Sequence, residues 1–198
     1  MGGDTAPQPP SSEARGEARP QLWVGSWLDY NNGILHGDWI AADRDDAEIW
    51  GDIQTMLDRS PTASATGEVA EEWGIFDSDN FGPLHIGEQE SIAWVAKVGR
   101  GIAEYGPAFA AWADVMQDEA LLDGFTDAYL GHYESVDAYA NQLVDDLGYQ
   151  EQIDQAMPES LRPYVRFDTA GLARDMQLGG DIHVVDANDS GVWIFDAR

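Results

Sequence analysis

Asp114, Asp118, Asp123, Asp127, Glu134, Asp137, Asp145, Asp146, Glu151 and Asp154 all lie between Gly101 and Leu161, a stretch with no lysine or arginine. Carboxylates so placed can do three kinds of chemistry: transfer protons as general acid and base, ligate a hard cation, or attract a basic macromolecule. Proton transfer needs a pair that stands apart from its neighbours. No pair does, so no catalytic residue is assigned. Calcium has one candidate: Asp77-Ser-Asp79-Asn-Phe81-Gly82 with Glu88 fits the loop D-x-[DN]-x-[DN]-G-x5-E at its first, third, sixth and twelfth positions, and Leu84 takes the apolar eighth. Phe81 occupies the fifth, where an oxygen must bind. Trp73 to Phe76 just before it reads as a strand, whereas the motif needs a helix. The segment is therefore read as a turn leading into the next helix.

Other sites find less support. The four histidines, His36, His85, His132 and His183, form no H-x-x-x-H or H-x-H pair, and the chain has no cysteine. Neither a G-x-S-x-G nor a Walker lysine motif occurs, and Gly99-Arg100-Gly101 lies in a helical stretch rather than after a strand. No metal and no cofactor are expected. Tryptophans can form carbohydrate platforms, but Trp23, Trp27, Trp39, Trp73, Trp94, Trp112 and Trp193 fall inside expected elements and read as core.

A basic partner is left. The 198 residues hold 37 Asp and Glu against 10 Lys and Arg, a formal net charge of -27, and Lys97 is the single lysine. Gripping phosphates takes clustered cations, so neither nucleic acid nor an anionic membrane is an expected partner. Disordered acidic chains are poor in aromatics, whereas this one has eight tryptophans and 43% hydrophobic residues, enough for a folded core. The charge is also uneven. Residues 21–59 carry eight acids and two cations, residues 60–161 twenty and two, and residues 162–198 six and four.

Acids at i and i+4 on a helix, as Asp114/Asp118 and Asp123/Asp127 would be, repel by a few tenths of a kcal/mol each, about what interspersed lysines usually relieve. A chain that keeps this cost lives in high salt or uses the field to meet a basic partner. Acids four apart on a helix are separated by about 6 Å along its axis, and B-DNA carries roughly one charge per 1.7 Å. A bundle of acidic helices approximates a duplex backbone.

These acids must be positioned by a fold. Residues 1–20, with four prolines and no large apolar side chain after Met1, read as a flexible tail without a signal peptide. No run of eighteen apolar residues predicts a membrane span, and a cytoplasmic location fits. Leu22 to Leu28 and Ile34 to Ile40 around Asn31-Asn32-Gly33 predict a β-hairpin. Asp43 to Arg59, with Ile49, Ile53, Met56 and Leu57 at i, i+4, i+7 and i+8, predicts an amphipathic helix. Ser60 to Gly67 reads as a loop and Trp73 to Phe76 as a third strand, making a β-β-α-β unit over 21–89. Helices follow over Ile92–Ile102, Phe109–Met116, Leu121–Leu130 and Val136–Leu147, the first two broken at Gly106-Pro107. A short helical piece starts at Pro158. Thr169 caps a helix through Met176, and a second hairpin, Ile182–Val185 and Val192–Phe195, turns at Asn188 to Gly191.

Several blocks, in order, resemble the ArdA antirestriction family: Leu22-Trp-Val-Gly-Ser-Trp-Leu-Asp-Tyr-Asn-Asn-Gly, Leu35-His-Gly-Asp-Trp-Ile, Glu71-Glu-Trp-Gly-Ile-Phe-Asp, Gly106-Pro-Ala-Phe-Ala-Ala-Trp, Asp127-Ala-Tyr-Leu-Gly, Pro158-Glu-Ser-Leu-Arg-Pro-Tyr and Ala173-Arg-Asp-Met-Gln-Leu-Gly-Gly-Asp. The resemblance covers nearly everything after Pro20. It implies an α+β chain of three small domains in an elongated, curved row, over 21–89, 90–122 and 123–198, the middle one helical and the last made of helices plus a β-hairpin. It also implies a DNA mimic rather than an enzyme: an acidic homodimer, carried by mobile genetic elements, that occupies the DNA-binding groove of type I restriction-modification enzymes. The family's antirestriction motif would map to about Ile153–Met176, where Arg166 stands at a position that tends to be acidic in similar proteins. Two other readings stay open. A domain from a salt-in halophile would also be lysine-poor, though its acids should spread over the whole surface. A Ca²⁺-binding module would give heat on titration with calcium.

Overall fold

The computed structural model describes residues 19–187 and 190–198. Most of the expected N-terminal tail, residues 1–18, and Asn188 and Asp189 in the last hairpin turn lie outside them. Arg19 and Pro20, assigned to the tail by composition, are tied to the fold. The Arg19 guanidinium donates to both Asp43 oxygens (2.6 and 3.0 Å), and the carbonyl of the buried Pro20 accepts from the Ala42 amide (2.9 Å). The chain divides into two compact units, residues 1–122 and 123–198, and each has a three-stranded antiparallel sheet with helices around it, an α+β organisation.

In the first unit, β1 (Gln21–Ser26) is the central strand, between β2 (Gly37–Ala41) and β3 (Trp73–Asp79). Leu22 faces Ile40, Trp23 faces Trp39 and Val24 faces Ile75, all buried. The expected hairpin is present as a strand pair, but its connection contains a helical turn, α1 (Trp27–Asn31), because Ser26 Oγ caps it by accepting from the Asp29 amide (3.3 Å). Asp45 and Glu48 begin α2 (Asp46–Leu57), where Glu48 reaches back to the Asp45 amide (3.3 Å). Its expected stripe, Ile49, Ile53, Met56 and Leu57, is buried.

Ser60 to Gly67 is not a loop. Ser60 Oγ accepts from the Ala63 amide (3.1 Å), Pro61 opens the first turn, and Gly67 at φ 78° closes α3 (Pro61–Thr66). Asp29, fully buried, holds α1 to α3 by accepting the Thr62 amide at Oδ1 (2.9 Å), while Oδ2 has no hydrogen bond of good geometry. Burial pushes this carboxyl up, but the hydroxyls of Thr62, Ser60 and Ser26 and the Thr62 amide outweigh it and hold its pKa at about 2. A folded pKa below the unfolded value of about 3.9 means stability that is present above pH 4 and lost as pH falls toward 2. Asp29→Asn should therefore cost about 2 kcal/mol at pH 7. In urea titrations the gap between variant and parent should stay constant from pH 7 to about pH 5 and narrow below that toward pH 2.5; a gap that does not change with pH would exclude this role for the charge.

After β3, α4 (Ile92–Tyr105) packs Val95, Ala96 and Val98 into the core, and α5 (Pro107–Met116) is buried over Ala108–Ala113. Gly106 at φ 78° and Pro107 make the break between them, as the sequence predicts.

The expected helix over Leu121–Leu130 is replaced by a 3₁₀ turn (Glu119–Gly124), a four-residue α6 (Phe125–Ala128) and the first strand of the second unit, β4 (Tyr129–Tyr133). The strand wins because a partner is available. β6 (Val192–Asp196) pairs with β4 on one edge and with β5 (Ile182–Asp186) on the other, so the C-terminal hairpin becomes a three-stranded sheet. Helices α7 (Val136–Asp146) and α9 (Thr169–Gly179) cover it around Met176, Ile182 and Ile194, with Tyr139, Leu143 and Leu172 against them. Asp168, rather than Thr169, caps α9, accepting from the Gly171 amide (2.9 Å). Between α7 and α9 lie α8 (Tyr149–Ala156), absent from the sequence expectation, and a 3₁₀ turn at Arg162–Tyr164.

Candidate functional site

The ten carboxylates sit on helix ends, turns and outer helix faces. Asp118, Asp123, Asp127, Glu134, Asp137, Asp145, Asp146 and Glu151 are exposed, and Asp114 and Asp154 are half-buried. On α7, Asp137 and Asp145 lie two turns apart, about 12 Å along the axis, while Ala140 and Val144 are buried in the core. On α8, Asp154 accepts from Gln150 Nε2 (2.9 Å) and Glu151 is open to solvent.

Two expected pairings are not formed on a helix. Gln117 at φ 48° ends α5, so Asp118 lies beyond it and accepts the Ala120 amide (2.9 Å) instead of stacking over Asp114. Asp123 and Asp127 belong to a 3₁₀ turn and to α6, not to one continuous helix. The predicted repulsion through α-helical i, i+4 geometry does not apply to either pair.

Asp123 apart, these acids have no ion-pair partner among the described residues. The described arginines of the first unit are engaged elsewhere: Arg19 with Asp43, Arg44 with Asp52, Arg59 with Asp38 and Arg100 with Asp45, all acids between Asp38 and Asp52. Near the acidic stretch the cations turn to backbone carbonyls. Lys97 Nζ donates to Glu119 O (2.8 Å), Arg162 to Met157 O (3.3 Å), and Arg166 to the carbonyls of Arg162 (2.8 Å) and Val165 (2.9 Å).

Catalytic and metal signals are weak in comparison. Asp29 and Asp196 both titrate below the usual carboxylate range, Asp196 mainly because the Arg198 amide donates to it. A general acid needs the opposite shift. Asp77 and Asp79 belong to β3 and Phe81 is buried, so the calcium-like segment is a strand end closed by an apolar plug. Among the described residues no group of three His, Asp or Glu side chains is placed to hold a metal.

Tryptophan placement departs from expectation. Trp23, Trp39, Trp112 and Trp193 are core, but Trp27, Trp73 and Trp94 are only half-buried, and Trp50 is 41% exposed. Trp27, Trp50 and Trp73 line a cleft of about 740 Å³ in the first unit. Its sequence signal was Trp50 itself, one residue off the Ile49, Ile53 and Met56 stripe.

The family model described as antirestriction protein (ArdA) matches residues 22–188, a span that contains the first sheet from Leu22 on, β4 and β5 of the second sheet, and all ten carboxylates. The chain belongs to the ArdA antirestriction family. No curated protein matches it. Membership in the ArdA family supports an antirestriction function. Among the described residues of this ArdA chain, no helix is long and apolar enough to cross a membrane.

Proposed function

We propose that this ArdA chain acts as a DNA mimic: its exposed carboxylates occupy the DNA-binding groove of a type I restriction-modification enzyme and so block restriction of incoming DNA. Eight exposed acids in a stretch without a lysine or arginine are the observation that carries this reading. A groove built for phosphates presents Lys and Arg at close spacing, and exposed carboxylates can take the place of those phosphates. The same field speeds encounter and suppresses acidic competitors. Each exposed contact is worth about 1 kcal/mol or less, so inhibition is the sum of many. The reading needs no bond-making step and no cofactor; it has the chain act in the cytoplasm, where incoming DNA is cut, as a homodimer. Cleavage of unmodified DNA by a type I enzyme, measured with and without the chain, tests it. Cleavage should fall in proportion to added protein; unchanged cleavage across several such enzymes would count against the proposal.

A further inference from the structure

The first unit holds a cleft that the distributed acids do not explain. Trp50 on α2 and Trp73 on β3 meet edge to face, ring centroids 5.2 Å apart at 87°, and Trp27 of α1 lies on the same cleft. Trp27 is set there by its backbone N–H, which donates to the Glu72 carbonyl (3.0 Å), and by Gly74, whose missing side chain leaves room: a Cβ would stand 2.9 Å from Trp27 Nε1 and 3.3 Å from Glu88 Cγ. Glu88 in turn is fixed by its carbonyl, which accepts the Ile75 amide (2.9 Å). The aromatic walls thus come from α1, α2 and β3, with Trp27 held against the strand that carries Trp73.

The rim is anionic. Glu71, Glu72, Glu88 and Glu90 line the same space and no lysine or arginine does. Glu90 meets the N-terminus of α4 through the Ser91 amide (3.4 Å), but the carboxylates of Glu71, Glu72 and Glu88 have no hydrogen-bond or ion-pair partner among the described residues. Indole faces attract a cation through their quadrupole, and carboxylates beside them attract it through charge. A planar guanidinium satisfies both at once, and beyond a point charge it stacks on rings and meets carboxylates with paired N–H donors. The cleft volume, about 740 Å³, exceeds what the head group needs and leaves room for the stem that carries it.

We propose that this tryptophan cleft is a receptor for an arginine side chain of a protein partner. The identity of that partner rests on the antirestriction reading; the cleft and its ligand chemistry do not. Titrating the full chain with N-acetyl-arginine amide, without any restriction enzyme, separates the two. Indole N–H signals of Trp27, Trp50 and Trp73 should shift saturably while those of buried Trp112 and Trp193 stay in place. N-acetyl-citrulline amide, the neutral isostere, should bind about tenfold more weakly, and the lysine derivative should also be weaker. Trp50→Ala and, separately, Glu71→Gln with Glu72→Gln should each weaken binding about fivefold or more while the remaining spectrum stays folded. Equal binding of citrulline or lysine, shifts spread over every tryptophan, or no saturable shift would overturn the assignment.

Discussion

Converting Asp137, Asp145, Asp146, Glu151 and Asp154 together to their amides is expected to abolish protection of DNA from a type I restriction enzyme, while each single conversion changes it less than about fivefold. The asymmetry follows from exposure. A solvated carboxylate meeting a Lys or Arg contributes about 1 kcal/mol or less, roughly a fivefold change in affinity, and several such losses multiply when the sites are well separated. All five lie on α7 or its neighbour α8, four of them exposed and Asp154 half-buried, and none anchors the core of Met176, Ile182 and Ile194. The fold should therefore survive, which circular dichroism checks. A single substitution that eliminates protection in a folded protein would replace the distributed account with a discrete site, since losing a general acid or base costs about 10² to 10⁴ in rate.

Gly99→Ala is expected to be the most damaging small substitution in the first unit. The added Cβ would stand 2.2 Å from the Ala42 carbonyl oxygen and 2.5 Å from its carbon, both backbone atoms that cannot swing aside. Helix α4 would have to lift from the chain that follows β2, at a cost of about 3 kcal/mol. Gly51→Ala is the control. It lies exposed within α2 with nothing within 4 Å of its would-be Cβ, and should stabilise by up to about 1 kcal/mol through helix propensity. Urea unfolding of the pair should move in opposite directions. If Gly99→Ala unfolds within 0.5 kcal/mol of the parent, roughly the scatter for neutral surface changes, the close docking of α4 is wrong.

Strong periodicity was legible and weak periodicity was not. The Ile49, Ile53, Met56 and Leu57 stripe placed α2, and Gly106-Pro107 placed the break between α4 and α5, because apolar spacing and backbone limits act locally. α3 is built of Pro, Thr, Ala and Ser with no apolar stripe, and only its Ser60 and Gly67 caps announce it. α8 buries no residue fully and leaves no pattern to read. The helix expected over Leu121–Leu130 runs into the first two residues of β4, whose partner β6 lies about sixty residues away, and pairing over that distance overrides local preference. At the candidate site, the cation-free stretch could be read directly from composition. The engagement of Arg19, Arg44, Arg59 and Arg100 with acids of residues 38–52 could not, nor could the meeting of Trp27, Trp50 and Trp73, since both depend on how β2, α2 and β3 come together.

Whether the chain and DNA compete for one groove is measured most directly by displacement. A labelled duplex carrying the recognition site is bound to a type I restriction-modification enzyme, and the chain is added at several salt concentrations. The account predicts that the duplex is released as the chain binds, with no complex containing both, and that the affinity of the chain falls as salt rises. Inhibited cleavage with the duplex still bound would contradict it.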